Sequence, residues 1–293
     1  MSWTLLLEQL LNGLQFGLML FLLSTGVTLI FGVMGLVNIA HGAMFTLGAF
    51  LGFAVGERHG YLAGWAAALL GTGLAALAVE LLVMRRLYRR HHLDQVLGTF
   101  GLMLIVNELI VIFWGRDPMF ASMPEWLSGS VSLMPELQYP AYRIAISIVA
   151  LAAGALVYAL VAHTRVGMLI RAGAEKREVA EALGVNINLL FSLVFVLGAM
   201  LAALAGVMMG PLITVESGVG EPLLILALVI IIVGGAGSMK GCLFASLLIG
   251  VLDTLARAYL SAVGDAGRAL ANMVVYVLML LVLLVRPQGM FRR

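Results

Sequence analysis

This sequence has little charge. Only 11% of its 293 residues are Asp, Glu, Lys or Arg, against about 25% in ordinary soluble domains, and the mean hydropathy is +1.09. So few charges cannot cover the surface of a water-soluble chain of this length, so lipid must solvate most of it. The 17 Lys and Arg against 15 Asp and Glu leave a net +2, too small a surplus to argue for a nucleic-acid partner. The single cysteine, Cys242, excludes an internal disulfide and any cysteine cluster. The five histidines, His41, His59, His91, His92 and His163, show no zinc-ligand spacing with a partner acid. "GGAGSMKG" (234–241) has glycines but neither the G-x-x-x-x-G-K-[ST] spacing nor a preceding strand, so it is not a phosphate loop. The chain is therefore expected to be no enzyme and to carry no metal or cofactor.

What fills the chain is apolar runs. A membrane-crossing helix needs about 20 mainly apolar residues. Segments 9–32, 36–56, 62–84, 96–114, 143–162, 190–213, 222–234, 239–262 and 269–285 meet or approach that length. Segment 36–56 opens on polar residues, and 222–234 stops at Gly-Gly. The expected architecture is an all-α polytopic membrane protein with eight or nine crossings, forming one transmembrane domain over 1–293. In "MSWTLLLEQLLNGLQF" no cationic stretch precedes the apolar run, so it reads as a retained span, not a secretory signal.

Lys and Arg in short loops set the orientation. Arg85, Arg86, Arg89 and Arg90 form one cluster. Arg165, Arg171, Lys176 and Arg177 form a second, and Arg286, Arg292 and Arg293 end the chain. With the N-terminus outside and nine segments crossing, all three clusters fall on the cytoplasmic side. Arg58, Arg116, Arg143, Arg257 and Arg268 then face outward. The outer stretch 115–143 holds four of the seven prolines, which argues against a long regular helix. It reads either as a connecting loop with a short interfacial helix or as a docking surface for an external partner.

One cytoplasmic segment stands apart. "RAGAEKREVAEALGVN" (171–186) packs Arg171, Glu175, Lys176, Arg177, Glu178 and Glu181 into sixteen residues. Ala, Glu, Lys and Arg favour helix, Gly184 is placed as its C-terminal cap, and Val185 follows as the hydrophobic contact. Val179, Ala182 and Leu183 share one face. A membrane-surface helix usually buries larger apolar side chains, so this Ala/Val stripe favours docking into a groove on a soluble protein. A helix resting on lipid headgroups is the other reading.

Two glycine-bearing breaks lie 199 residues apart, at "HGAMF" (41–45) and "KGCLF" (240–244). Paired interrupted helices point to a substrate path, and glycine also serves helix packing. Asn38, His41 and Gly42 mark the first break; His41 reads as a hydrogen-bonding plug for freed carbonyls or as a substrate contact. Gly234, Gly235, Gly237 and Ser238 mark the second, where exposed backbone amides could meet a carboxylate. Glu80, Glu108 and Asp253 are ionisable residues in apolar surroundings; Asp253 lies four residues before Arg257, the spacing of an intrahelical pair.

"GLVNIAHGAMFTLGAF" (35–50), "RAGAEKREVAEALGVN", "GGAGSMKG" and "LLVRPQGMF" (283–291) resemble the permease subunits of branched-chain amino acid ABC importers, LivH type, over essentially the whole chain. The resemblance implies a multi-pass permease of the bacterial cell inner membrane that forms half of a translocation pathway. It implies a second permease subunit, two cytoplasmic ATPase subunits that bind the ATP, and an external substrate-binding protein as partners. Ala180 and Gly184 match the small positions of the family's ATPase-docking loop, although the usual Glu-Ala-Ala opening is only loosely present as "EVAEALG". The candidate coupling residues are Ala172, Glu178, Val179, Ala180, Leu183 and Gly184. Two alternatives stand beside this reading. One is a secondary transporter coupled to an ion through Glu108 or Asp253; the other is a related permease for urea or short amides.

Overall fold

The computed structural model describes residues 3–88, 90–135, 137–175 and 177–291. Arg89, Lys176, Arg292 and Arg293 of the cation clusters lie outside the described residues, as do the side chains of Glu178 and Val179. The helices are α1 (Trp3–Met34), α2 (His41–His59) and α3 (Tyr61–Val79), which runs through a π-helical turn (Glu80–Met84) into α4 (Arg85–Leu87). They continue with α5 (His92–Trp114), α6 (Ala141–His163), α7 (Arg165–Glu175), α8 (Arg177–Ala182) and α9 (Ile187–Met209). The last three are α10 (Gly220–Gly234), α11 (Met239–Leu260) and α12 (Asp265–Val285). Each of the nine apolar runs centres on a helix. Among the described residues seven helices are long and apolar enough to cross a membrane. Outside that set, α2 is polar at both ends and α10 has 15 residues.

The outer stretch differs from expectation. It forms a three-residue 3-10 turn (Glu125–Leu127) followed by an antiparallel hairpin, β1 (Ser130–Met134) with β2 (Leu137–Pro140), pairing Val131 with Tyr139. The short side chains alternate as Ser-Val-Ser-Leu, a period-two pattern, and along β2 Leu137 and Tyr139 turn inward.

Two compact units divide the chain, with α1, α6 and α10 running through both. The first comprises Met1–Ser24, Met123–Ala153 and Leu226–Arg293. In it α1 and α11 approach through small residues: a Cβ on Gly250 would stand 2.4 Å from the Cα of Gly17, close packing that lipid-embedded helices use in place of a hydrophobic drive. Tyr139 donates its hydroxyl to Asn12 Oδ1 at 3.2 Å, and Arg143 donates to the same oxygen. Burial pushes the Tyr139 phenol above its ordinary value, with Arg143 pulling the other way. Asp253 pairs with Arg257 at 2.7 Å, one helical turn on, and Arg257 also donates to Asn272 of α12. The spacing read from sequence is thus an intrahelical pair.

The second unit comprises Thr25–Ser122 and Gly154–Ile225. Here α2 packs on α9 so closely that a Cβ on Gly48 would lie 2.4 Å from the Cα of Ala203. Glycine at 48 is what brings these two helices together.

Candidate functional site

The first break, in the second unit, begins where α1 ends. Gly35 takes φ +64, and its amide closes the last turn on the Phe31 carbonyl at 2.9 Å. The chain then turns through Asn38, which is 1% exposed. Asn38 Oδ1 accepts from the Ala40 amide at 3.1 Å, and its carbonyl accepts from the His41 amide. Asn38 thus supplies a side-chain acceptor to an amide freed at this break. His41 is itself fully buried, its imidazole lying where a Cβ on Gly26 would be 2.8 Å from Nε2. That same Cβ would meet the Gly198 carbonyl at 2.6 Å, and Gly198 stands midway along α9. The break therefore sits halfway through a membrane-length helix.

Beside it the structure brings in a segment the sequence did not single out. After α9 the chain pairs back on residues following α5, with Met119 and Val215 exchanging amide hydrogen bonds at 2.9 and 3.0 Å. It then turns inward to start α10 against the first break. A Cβ on Gly220 would lie 2.0 Å from the Gly42 carbonyl oxygen, so only glycine allows the contact. The Gly220 amide donates to Thr46 Oγ1 at 3.1 Å. One residue on, Glu221 Oε1 accepts from Asn107 Nδ2 at 2.6 Å, and Ser217 Oγ donates to the Asn107 carbonyl at 3.1 Å. The apolar run read as 222–234 left Glu221 outside it. The available signal was an acid in the first turn of a helix preceded by glycine.

The second break belongs to the first unit and is occupied by the chain itself. A Cβ on Gly241 would lie 2.0 Å from the Gly234 carbonyl oxygen, so α10 and α11 meet backbone to backbone. The Gly234 carbonyl accepts from the Phe291 amide at 3.1 Å, and the Val233 carbonyl accepts from Met290 at 2.9 Å. Gly235 (φ +97) backs onto Gly289. The amides expected to be open are partly spent: Gly235 donates to Ile231 and Ser238 donates to Gly235. Ser238 Oγ caps α11 by accepting from Gly241, while Gly237 is exposed. The C-terminal turn, some fifty residues downstream, supplies this cover, which is why local sequence could not reveal it.

Residues 171–175 belong to α7, whose buried residues are Gly167, Ile170 and Gly173, and 177–182 form α8; Lys176 between them lies outside the described residues. The Val185 amide donates to the Ala180 carbonyl at 3.0 Å and the Gly184 amide to Glu181 at 2.9 Å, with Gly184 at φ +86. That is a Schellman closure, the cap read from Gly184-Val185. Ala180 is 3% exposed, already buried within the chain, whereas Leu183 is 79% exposed. Ala172 and Gly184 are exposed as well. Asn186 then caps α9 by accepting from the Leu189 amide.

Glu80, fully buried at the start of the π-helical turn, is satisfied within the same unit. Ser192 Oγ donates to its Oε2 at 2.7 Å, and Arg85 Nε lies 3.3 Å from Oε1. A buried carboxylate persists only when paired and hydrogen-bonded, and this one ties α3 to α9. Glu80→Leu is expected to cost about 2 kcal/mol by removing the acceptor that Ser192 and Arg85 share, leaving Arg85 only its bond to Ser192 Oγ and Ser192 its bond to the Asn188 carbonyl. Glu80→Gln, which keeps an acceptor, should cost less than half of that, both read as thermal unfolding in detergent. Glu108 is exposed on the surface of α5.

Comparison with known proteins gives a consistent assignment. Residues 9–283 match the family described as "Branched-chain amino acid transport system / permease component". The chain is 27% identical over 301 residues to the high-affinity branched-chain amino acid transport system permease protein LivH of Salmonella typhimurium, covering 98% of this chain and 96% of the relative. It is 28% identical over 302 residues to the corresponding permease protein BraD of Pseudomonas aeruginosa, with the same coverage. Among solved structures it resembles a metal-chelate type ABC transporter in an inward-facing conformation, with TM-score 0.53 and 19% identity over 95% of this chain and 85% of the other. It also resembles PsaBC from Streptococcus pneumoniae, with TM-score 0.52 and 14% identity over 94% and 91%. At those identities the likeness concerns the fold.

Proposed function

This chain belongs to the permease-component family of branched-chain amino acid transport systems, and on that premise we propose that it forms half of an ATP-driven import pathway for leucine, isoleucine, valine or related hydrophobic amino acids. It is a multi-pass membrane permease subunit of an ABC transporter. The observation that carries the proposal is the family match running through both compact units, 9–283. For that reason 1–293 is treated as one permease domain of the bacterial inner membrane, paired with a second permease subunit.

Force would enter through 171–186. This chain has no phosphate loop of its own, so two cytoplasmic ATPase subunits bind and hydrolyse ATP. Their closure would press on the exposed residues Ala172, Leu183 and Gly184, and through Asn186 move α9, which begins directly after the loop. The substrate path is placed at the first break, along Asn38, His41 and Gly42. An element that has two packings can convert such a push into alternating access. Outside, the hairpin and the exposed Trp126 offer a docking surface to a substrate-binding protein. The second break, filled by the C-terminal turn, is assigned to holding α10 against α11.

The test is uptake of radiolabelled L-leucine by the assembled complex in proteoliposomes with its binding protein. Uptake should require ATP on the cytoplasmic side and persist when proton and sodium gradients are collapsed. Uptake driven by an ion gradient without ATP would overturn the proposal in favour of a secondary transporter.

A further inference from the structure

We propose that Glu221 is the station that receives the α-ammonium group of the amino acid in transit, with Asn107 positioning its carboxylate; this rests on the transport function proposed above. Gly220 abuts Gly42, the residue after His41, and His41 lies level with Gly198 at the middle of α9. Glu221 is therefore an acid placed well inside the membrane-spanning part of the second unit. An ionisable group at such depth is costly and needs a partner or a wet path.

The partners that the structure supplies are incomplete. Asn107 donates one amide hydrogen to Glu221 Oε1 at 2.6 Å. Among the described residues no cation lies within ion-pair distance of this carboxylate. Glu221 is only half-buried, and among the described residues its second oxygen has no hydrogen-bond partner. Asn107 is nine-tenths buried, and its Oδ1 has no hydrogen-bond partner among the described residues. Acceptors are thus in surplus. An ammonium carries three donors and no acceptor, so it can satisfy the free carboxylate oxygen and the amide oxygen together.

The start of α10 does not offer the opposite chemistry. Its first amides are already committed, Gly220 to Thr46 and Glu221 to the Gly218 carbonyl at 3.0 Å, and Pro222 has no amide hydrogen. The site is short of donors and suits a cationic group. Glycine at 218 keeps a side chain away from the carboxylate; a Cβ there would lie 3.4 Å from Glu221 Oε1.

The experiment uses the assembled complex in proteoliposomes, comparing wild type with Glu221→Gln and Glu221→Asp. Two readouts are taken: L-leucine uptake, and ATP hydrolysis stimulated by the liganded binding protein. Glutamine keeps the shape and the acceptor facing Asn107 but removes the charge. Loss of a charge-assisted hydrogen bond predicts at least about a tenfold fall in uptake, with stimulated hydrolysis within about twofold of wild type. Aspartate, which keeps the charge at shorter reach, should retain more uptake than glutamine. Wild-type uptake with an equally active Glu221→Gln overturns the ammonium assignment alone. So does a parallel loss of uptake, hydrolysis and assembly in both variants, which would make Glu221 a structural cap of α10. Absence of leucine uptake by the wild-type complex overturns the transport function and this assignment with it.

Discussion

Gly220→Ala is expected to destabilise the folded chain by about 3 kcal/mol or more and to abolish leucine uptake, whereas Gly35→Ala should cost about 1 kcal/mol and leave uptake measurable. The two positions separate close approach from backbone conformation. At Gly220 the added methyl would stand 2.0 Å from the Gly42 carbonyl oxygen, 2.8 Å from its carbon and 2.9 Å from Thr46 Oγ1. Two of those three atoms are backbone and cannot rotate away, so α10 must move off α2. That movement would break the Gly220–Thr46 hydrogen bond and carry Glu221 away from Asn107. At Gly35 nothing lies within 4 Å, and the cost is only that of holding alanine at φ +64. Unfolding midpoints of the purified chain in detergent, with uptake by the reconstituted complex, check both. Equal small losses at the two sites would show that α2 and α10 are not held by the Gly42–Gly220 contact.

The contrast between these glycines also marks what the sequence could reveal. The nine apolar runs were legible because lipid imposes a length of about 20 residues on anything that crosses it, and each run centres on a helix. The Gly184 cap was legible because a Schellman closure is local, fixed by a glycine and the residue after it. Asp253–Arg257 was legible for the same reason, as a pair one helical turn apart. Gly42 carried a visible signal too, but its partner Gly220 lies 178 residues on, and no local pattern joins them. Glu221 was hidden by its position one residue before the apolar run began, and its significance rests on Asn107, which is 114 residues away. The second break hid its partners in the same way: its glycines invited a substrate reading, and Gly234 and Gly235 pack closely against Gly241 and Gly289, the latter in the C-terminal turn. Composition marks where a backbone can be approached; only the fold shows by what.

The same distinction decides how the ATPase contact should be probed, and Leu183→Glu is the substitution with the largest expected effect there. Ala180 and Gly184 are the positions the family resemblance points to, but each carries a cost inside this chain. Ala180 is buried, so Ala180→Arg would place a charge in the chain's own packing and unfold α8 before any partner was tested. Gly184 faces open space, yet a β-branched residue at φ +86 would strain the closure and loosen the end of α8. Leu183 has neither liability. It stands exposed beside the cap, an apolar side chain presented to water unless something covers it. Replacing it with glutamate should change the unfolding free energy of the isolated chain by no more than about 0.5 kcal/mol. If it anchors the ATPase, truncation of such a contact is worth about 2 kcal/mol or more, roughly thirtyfold in affinity. The ATPase subunits should then be lost during detergent purification, and uptake should fall at least about tenfold with the chain still inserted. Pull-down stoichiometry and proteoliposome uptake measure the two effects. Wild-type stoichiometry with normal uptake would mean that 171–186 does not receive the force, and that Leu183 is covered by lipid headgroups instead.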